Sequence, residues 1–316
     1  MGAELFQAYE PLVIWMGLGL LIGARLPRLL PRLLGRLLYW VGVPIQVLAL
    51  TRRTSFEAAL SLSSLVTVGV LVVGLLLAWA LVQRQSTEDE RYEGSFLLSA
   101  MLGNVGFIGL AVAPALIDPA YQGWLVLYSV THNLAGTYGL GVVVASRFGA
   151  RHHHTSLAGS ISHLLTVPSL WAFAVGMLLH GLDFPAPVEE GLQSGLGIVV
   201  AGALLLGGLR LRQINGLRSL RQALPPALIK VVALPLITGI GLGLAGLSGD
   251  SRLALVLQAG MPTALGGLIL AEEYDLDRDL IASSIVLTTL GLFLTIPLWL
   301  LLFGGRFNPQ WLLSLQ

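Results

Sequence analysis

The chain has 316 residues, 55% of them hydrophobic and 11% charged, with a net charge of +1 and a mean hydropathy of +0.81. Soluble domains usually carry about 25% charged residues, so this composition excludes a water-soluble fold. The net charge gives no sign of a nucleic-acid partner, and the absence of cysteine removes disulfides, thiolate metal sites and cysteine nucleophiles.

A hydrocarbon core takes roughly 20 mostly apolar residues per helical crossing, and ten segments meet or approach that length in chain order. Span 1 runs from Pro11 to Ala24 and can extend outward to Phe6; span 2, from Leu37 to Thr51, is short and holds Pro44. No basic leader with a small-residue cleavage site precedes span 1, so it is expected to be a retained helix. Spans 3 to 6 are Ala58 to Gln83, Gly94 to Ile117, Pro119 to Ser146 and Thr155 to Leu182, each free of Asp, Glu, Lys and Arg. Span 7 covers Gly191 to Leu209, span 8 Gln222 to Gly249 with Lys230 its one charge, span 9 Leu253 to Ala271, and span 10 Leu280 to Gly305.

The loops after the odd spans carry thirteen arginines, from Arg25 to Arg278, whereas the other side has only Arg52, Arg53, Arg252 and Arg306. Because Lys and Arg resist translocation, the odd loops are expected in the cytoplasm and both termini outside. Ten spans divide into two sets of five, residues 1–150 and 151–316 of one membrane domain. An odd number per set inverts the second relative to the first. Pro44 through Arg52 in span 2 matches Gly202 through Arg210 in span 7, and residues 102–109 in span 4 match 259–266 in span 9.

Spans 4 and 9 each place helix-weakening residues mid-span: Gly103, Gly106 and Gly109 in one, Gly260, Pro262, Gly266 and Gly267 in the other. Pro262 has no amide proton, which predicts a bare carbonyl at Gln258. Broken backbone within a bilayer is tolerated where it lines a polar cavity or is covered by protein. A half-helix N-terminus there offers amides and partial positive charge to a carboxylate. Asn104, Gln258 and Thr263 lie beside these breaks, with Gly103, Val105 and Gly106 supplying backbone. The competing reading is close helix packing through small residues.

The stretch Gly103-Asn104-Val105-Gly106-Phe107-Ile108-Gly109-Leu110, the stretch from Met261-Pro262-Thr263-Ala264 to Leu270-Ala271-Glu272-Glu273-Tyr274, and Val167-Pro168-Ser169-Leu170-Trp171-Ala172 resemble the auxin efflux carrier family over nearly the whole chain. That family includes plant auxin carriers and bacterial permeases associated with malonate or malate. The resemblance implies an all-α fold similar to that of bile acid sodium symporters. It has ten transmembrane helices in two inverted five-helix repeats, with helices 4 and 9 broken and crossing at the substrate site. This chain has Ala111 and Gly202 where the family commonly has proline, so the break in helix 4 must rest on its glycines. It lacks the long central hydrophilic loop of many plant members, so a bacterial inner-membrane permease is the nearer comparison.

Lys230 is the one formal charge inside a span. It is expected toward the cytoplasmic end of span 8, where its stem reaches the interface or where it binds an anion or stands in for a coupling cation. His132 and Asn133 form a polar stripe in span 5 with Ser129 and Thr137, as coupling candidates or as interhelical hydrogen bonds. Gln46 after Pro44 is a further cavity candidate. His152-His153-His154 and the acidic run Glu272, Glu273, Asp275, Asp277 and Asp279 are expected to be solvated, without metal. The expected partners are the lipid bilayer, a small organic anion and a coupling proton or sodium ion, compatible with a homodimer and with no cofactor. No nucleophile–base or metal set marks an enzyme. The alternatives are a sodium-coupled bile acid type symporter and a non-transporting sensor.

Overall fold

The computed structural model describes residues 2–23, 25–26, 29–53, 60–85, 89–149, 168–210 and 217–304. His152 to His154, the first part of span 6 through Val167, Glu88 and the loop residues Arg28, Arg151, Arg212 and Arg306 lie outside them. The described secondary structure is helical apart from one isolated antiparallel bridge. The α-helices in order are α1 (Gly2–Ile22), α2 (Leu29–Leu37), α3 (Val43–Arg53), α4 (Leu60–Val82), α5 (Glu90–Met101), α6 (Leu110–Val112), α7 (Gln122–Thr131) and α8 (Val142–Phe148). The second part adds α9 (Pro168–Leu178), α10 (Ala186–Arg210), α11 (Leu217–Leu228), α12 (Leu234–Leu244), α13 (Gly249–Ala259), α14 (Leu265–Tyr274) and α15 (Arg278–Phe303).

Five of the described helical stretches are long and apolar enough to cross a bilayer: Leu29–Arg52, Leu62–Gln85, Ala186–Leu209, Ser219–Leu244 and Arg278–Phe303. The first corrects the short span expected from Leu37. A π-helical turn at Leu38–Gly42 joins α2 to α3, so the helix begins eight residues earlier and takes Arg32 and Arg36 into it. Pro44 does not break it, because a proline in the first turn of α3 costs no hydrogen bond that the π-turn had not already displaced.

Large side chains such as Leu65, Leu178, Leu244 and Leu294 point outward, while Ser63, Thr67, Ser99, Thr263, Ser284 and Thr288 are buried. That arrangement suits a lipid solvent, which solvates leucine and leaves hydroxyls to find partners inside. Thr67, Ser284 and Thr288 return their hydroxyls to the carbonyls of Ser63, Leu280 and Ser284 one turn earlier, and Ser63 donates across to Trp124 O at 2.9 Å.

The helices pack as two groups. In one, α1 lies on α10, α9 on α3, and α2 and α3 on α10. The α1–α10 contact is backbone to backbone: a Cβ on Gly19 would strike Leu205 O, and one on Gly208 would strike Met16 O. Glycine on both faces is what permits that approach. In the other group α4 packs on α5, α12 on α13, α11 on α15, α5 on α15 and α13 on α7. The groups touch where α10 meets Val105–Val112 and where α3 meets α7. Arg52 ends α3 by donating to Leu182 O at 2.7 Å, pairing with Glu189 and lying 4.2 Å over the Phe184 ring.

Candidate functional site

Spans 4 and 9 are both interrupted, and the interruptions meet. Helix α5 ends at Met101, Leu102 is extended with φ −82° and ψ 124°, and helix resumes at Val105. Helix α13 ends at Ala259, Ala264 is extended with φ −73° and ψ 141°, and α14 starts at Leu265. The two extended stretches pair as a short antiparallel bridge between Gly103 and Thr263. Asn104 N donates to Pro262 O at 2.6 Å, and Ala264 N donates to Leu102 O at 3.0 Å. Each break thus supplies hydrogen-bond partners for the other, which is how two non-helical peptides persist inside a bilayer. Ala111 in place of proline does not prevent the break in span 4, which falls at 102–104 and needs no proline there.

Two expectations about the breaks are corrected. The Gln258 carbonyl is not bare: Gly260 N and Met261 N both donate to it as the chain tightens before Pro262. Four of the amides at the crossing are also occupied. Gly103 N donates to His132 Nε2 at 3.0 Å, Asn104 N and Ala264 N take part in the bridge, and Thr263 N donates to Thr288 Oγ1 at 3.0 Å. The Thr263 hydroxyl donates to Ser99 O at 2.9 Å, so this side chain fastens the crossing. The amides without an intrahelical acceptor lie one step further on, in the opening turns of the second half-helices. Val105 and Gly106 open one, and Leu265 and Gly266 open the other. Asn104 caps the first, its Oδ1 accepting from Phe107 N at 3.3 Å.

Span 5 faces both openings. A Cβ on Gly106 would come within 3.8 Å of Asn133 Nδ2, and one on Gly266 within 3.0 Å of Thr137 Cγ2. Asn133, Thr137 and Tyr138 are only partly buried in the middle of the span, within the π-helical stretch His132–Gly141. Such π turns frequently mark functional positions. Tyr138 shares a 2.7 Å hydroxyl contact with Tyr39 of the other helix group. Two half-helix openings, an amide and a hydroxyl face one another here. Their donors match the oxygens of a carboxylate.

His132 points the other way. It is 1% exposed, stacks on Tyr128 with ring centroids 6.2 Å apart, and accepts from Gly103 N through Nε2. An accepting Nε2 means that the neutral ring keeps its proton on Nδ1, which has no partner among the described residues.

Lys230 departs most from expectation. It lies at the crossing, 1% exposed, with Nζ donating to Ala259 O at 2.8 Å, and does not reach the membrane surface. Sequence position placed it by counting residues from the helix end. The π turn at Ile229–Ala233 rotates it toward the breaks. Gln46 and Gln258 are buried helix-to-helix links: Gln46 Nε2 donates to Leu110 O at 2.6 Å and Gln258 Nε2 to Leu125 O at 3.1 Å. Their Oε1 atoms have no partner among the described residues.

Among the described residues no three His, Cys, Asp or Glu side chains gather as a metal set. The acidic run is used at helix ends, Asp277 capping α15 at Leu280 N and Asp275 pairing with Arg91 at 3.0 Å. Tyr39 and Tyr138, which sequence reasoning passed over, join the two helix groups beside the site; mid-span tyrosines carry that signal, since a buried phenol needs a partner. A cavity of about 180 Å³ between α4 and α12, lined by Val66, Val70, Val73, Leu234, Ile237 and Leu242 among others, is apolar.

Residues 151–300 match the family described as membrane transport protein. The chain is 29% identical over 208 residues to an uncharacterized transporter of Methanothermobacter thermautotrophicus, covering 60% of this chain and 66% of that protein. It is 26% identical over 216 residues to an uncharacterized transporter of Methanocaldococcus jannaschii, covering 67% of this chain and 68% of that one. The alignments span about two thirds of each relative's length. The chain is therefore a multi-pass membrane protein whose second half is similar to the membrane transport proteins.

Proposed function

We propose that the chain is a secondary transporter that moves a small organic anion, a mono- or dicarboxylate or an auxin-like weak acid, by alternating access around the crossed breaks. The observation that carries this reading is the bridge between Gly103 and Thr263, which sets the openings of two half-helices on either side of the partly exposed Asn133 and Thr137. Half-helix N-termini pointing at an anionic group near the midplane are a recurrent transporter device.

An arrangement of ten spans in two inverted repeats is supported by the packing itself. With spans 1 and 6 formed by α1 and α9, and each repeat counted onward, an inverted repeat leads the main contacts of one half to recur in the other. The α1–α10 contact has its counterpart in α9–α3, α4–α5 in α12–α13, and α5–α15 in α13–α7. One asymmetry then supports alternating access. The second half of span 4, Val105–Val112, packs on α10 of the opposite group, while its counterpart α14 packs chiefly on α5, α8 and α15 of its own group. Such a state is closed at one half of the crossing, and rocking one group on the other would exchange which half is closed.

Coupling to a proton would run through His132. Protonation turns Nε2 from acceptor to donor and releases the Gly103 amide, so the charge of the ring and the geometry of the break are linked. The arginine distribution favours the plasma membrane with both termini outside.

Purified protein in liposomes tests the reading through uptake of labelled malonate, malate and indole acetate, with and without proton or sodium gradients. Saturable uptake of at least one anion is expected. No uptake across a broad organic-acid panel would leave the sensor.

A further inference from the structure

Lys230 is the most deeply placed cation among the described residues, and no aspartate or glutamate is among those that are buried. Its Nζ donates to the carbonyl of Ala259, the last residue of α13. Gly103, two residues beyond the end of α5, comes so close that a Cβ there would stand 2.9 Å from both Cε and Nζ. The ammonium therefore lies beside the place where both first half-helices end, held by the last carbonyl of α13 and against the residue that follows α5 by two. The last carbonyls of a helix lack intrahelical donors and carry about half a negative elementary charge. Two such ends meeting within hydrocarbon repel each other unless a cation lies between them. Burying an ammonium in a bilayer is costly, and methionine would fill the same volume without that cost. The position therefore uses the charge.

We propose that Lys230 is a tethered monovalent cation: its ammonium, held by the carbonyl end of α13 and lying against Gly103, holds the two breaks together without a dissociable ion. The effect on uptake rests on the transporter reading above; the cation site itself does not. Uptake by the wild-type protein then requires neither sodium nor potassium. Truncation of Lys230 to alanine leaves a void the shape of three carbons and an ammonium, which propylammonium fits and which a small monovalent cation can enter.

The test compares the purified wild-type protein, Lys230→Ala and Lys230→Met for thermal unfolding at constant ionic strength. The buffers contain N-methylglucamine, sodium, potassium or propylammonium, with 1-propanol as the neutral control. The wild-type midpoint is expected to be the same in all of them. Lys230→Ala should fall by roughly 5 °C, a size that reflects one or two lost interactions, and recover at least half of that loss with propylammonium or sodium but not with propanol. Lys230→Met, which keeps the volume without the charge, should fall and not recover. Wild-type stability in Lys230→Met overturns the proposal, even if the alanine variant cannot be recovered folded. Recovery of Lys230→Ala by propanol, or by none of the cations, overturns it too. Absence of uptake by the wild-type protein would defeat the transporter reading and leave these unfolding results standing. Sodium-dependent wild-type uptake would overturn the tethered cation while keeping the transporter.

Discussion

At the scale of single residues, glycines with the same appearance in sequence carry different duties. A Cβ on Gly109 would collide with Gln258 Oε1, and that side chain is held in place by Leu125 O. Gly109→Ala should therefore destabilise the protein by about 1–3 kcal/mol through overpacking, seen as a lower unfolding midpoint. Around Gly106 the nearest atoms are 3.6 Å or more away, and they are Ser129 Oγ and Asn133 Nδ2. Gly106→Ala should leave the midpoint nearly unchanged while lowering uptake, because its methyl enters the space in front of Asn133. Equal effects of the two substitutions on stability would remove the distinction. Asn104→Ala deletes the cap on Phe107 N and should cost about 1 kcal/mol, with membrane insertion kept and uptake reduced. The sequence marked Asn104, Gln258, Gln46 and Thr263 alike as polar groups in an apolar span. It could not tell a side chain that faces a cavity from one whose partner is a carbonyl on another helix, as Gln46 and Leu110 O illustrate.

At the scale of elements, the breaks were legible because glycine and proline act on the backbone locally. Pro262 and the neighbouring glycines mark the interruption in span 9, and Gly103 with Gly106 marks that in span 4 even without a proline at 111. The length of span 2 was not legible. Arg36 looks like a loop residue, yet α2 is strongly amphipathic and can carry such a charge within a continuous helix. The end of that helix is fixed by Arg52, which is buried and pairs with Glu189 across the Leu182 turn. Glu189→Gln removes the countercharge, though its own partial exposure lets solvent screen the effect. A loss of about 1 kcal/mol is expected, and it should shrink as salt is raised; a midpoint equal to wild type at low salt would make the pair incidental.

At the scale of the whole molecule, the two helix groups make the decisive prediction. Ile108 and Gly207 face each other across the groups, with 4.0 Å from Ile108 Cδ1 to a Cβ on Gly207, whereas Gly42 and Val199 lie within one group. In this cysteine-free chain, a short thiol cross-linker joining Ile108→Cys to Gly207→Cys should stop uptake. The same reagent joining Gly42→Cys to Val199→Cys should not. Transport that survives the first link would sink the rocking motion. Orientation is tested in the same way: Gln85→Cys should resist an impermeant reagent applied to intact cells, and Tyr121→Cys should react with it.

The sequence by itself determined the apolar solvent, the helical class and the positions of the two interruptions, because hydropathy and backbone freedom belong to short stretches of chain. Only the tertiary structure decided that the interruptions bond to each other, that Thr263 reaches Ser99, 164 positions away, and that Lys230 donates to the last carbonyl of α13. Those facts depend on which distant group is the neighbour in space. In a bilayer that neighbour, and no water molecule, must satisfy each buried donor and acceptor.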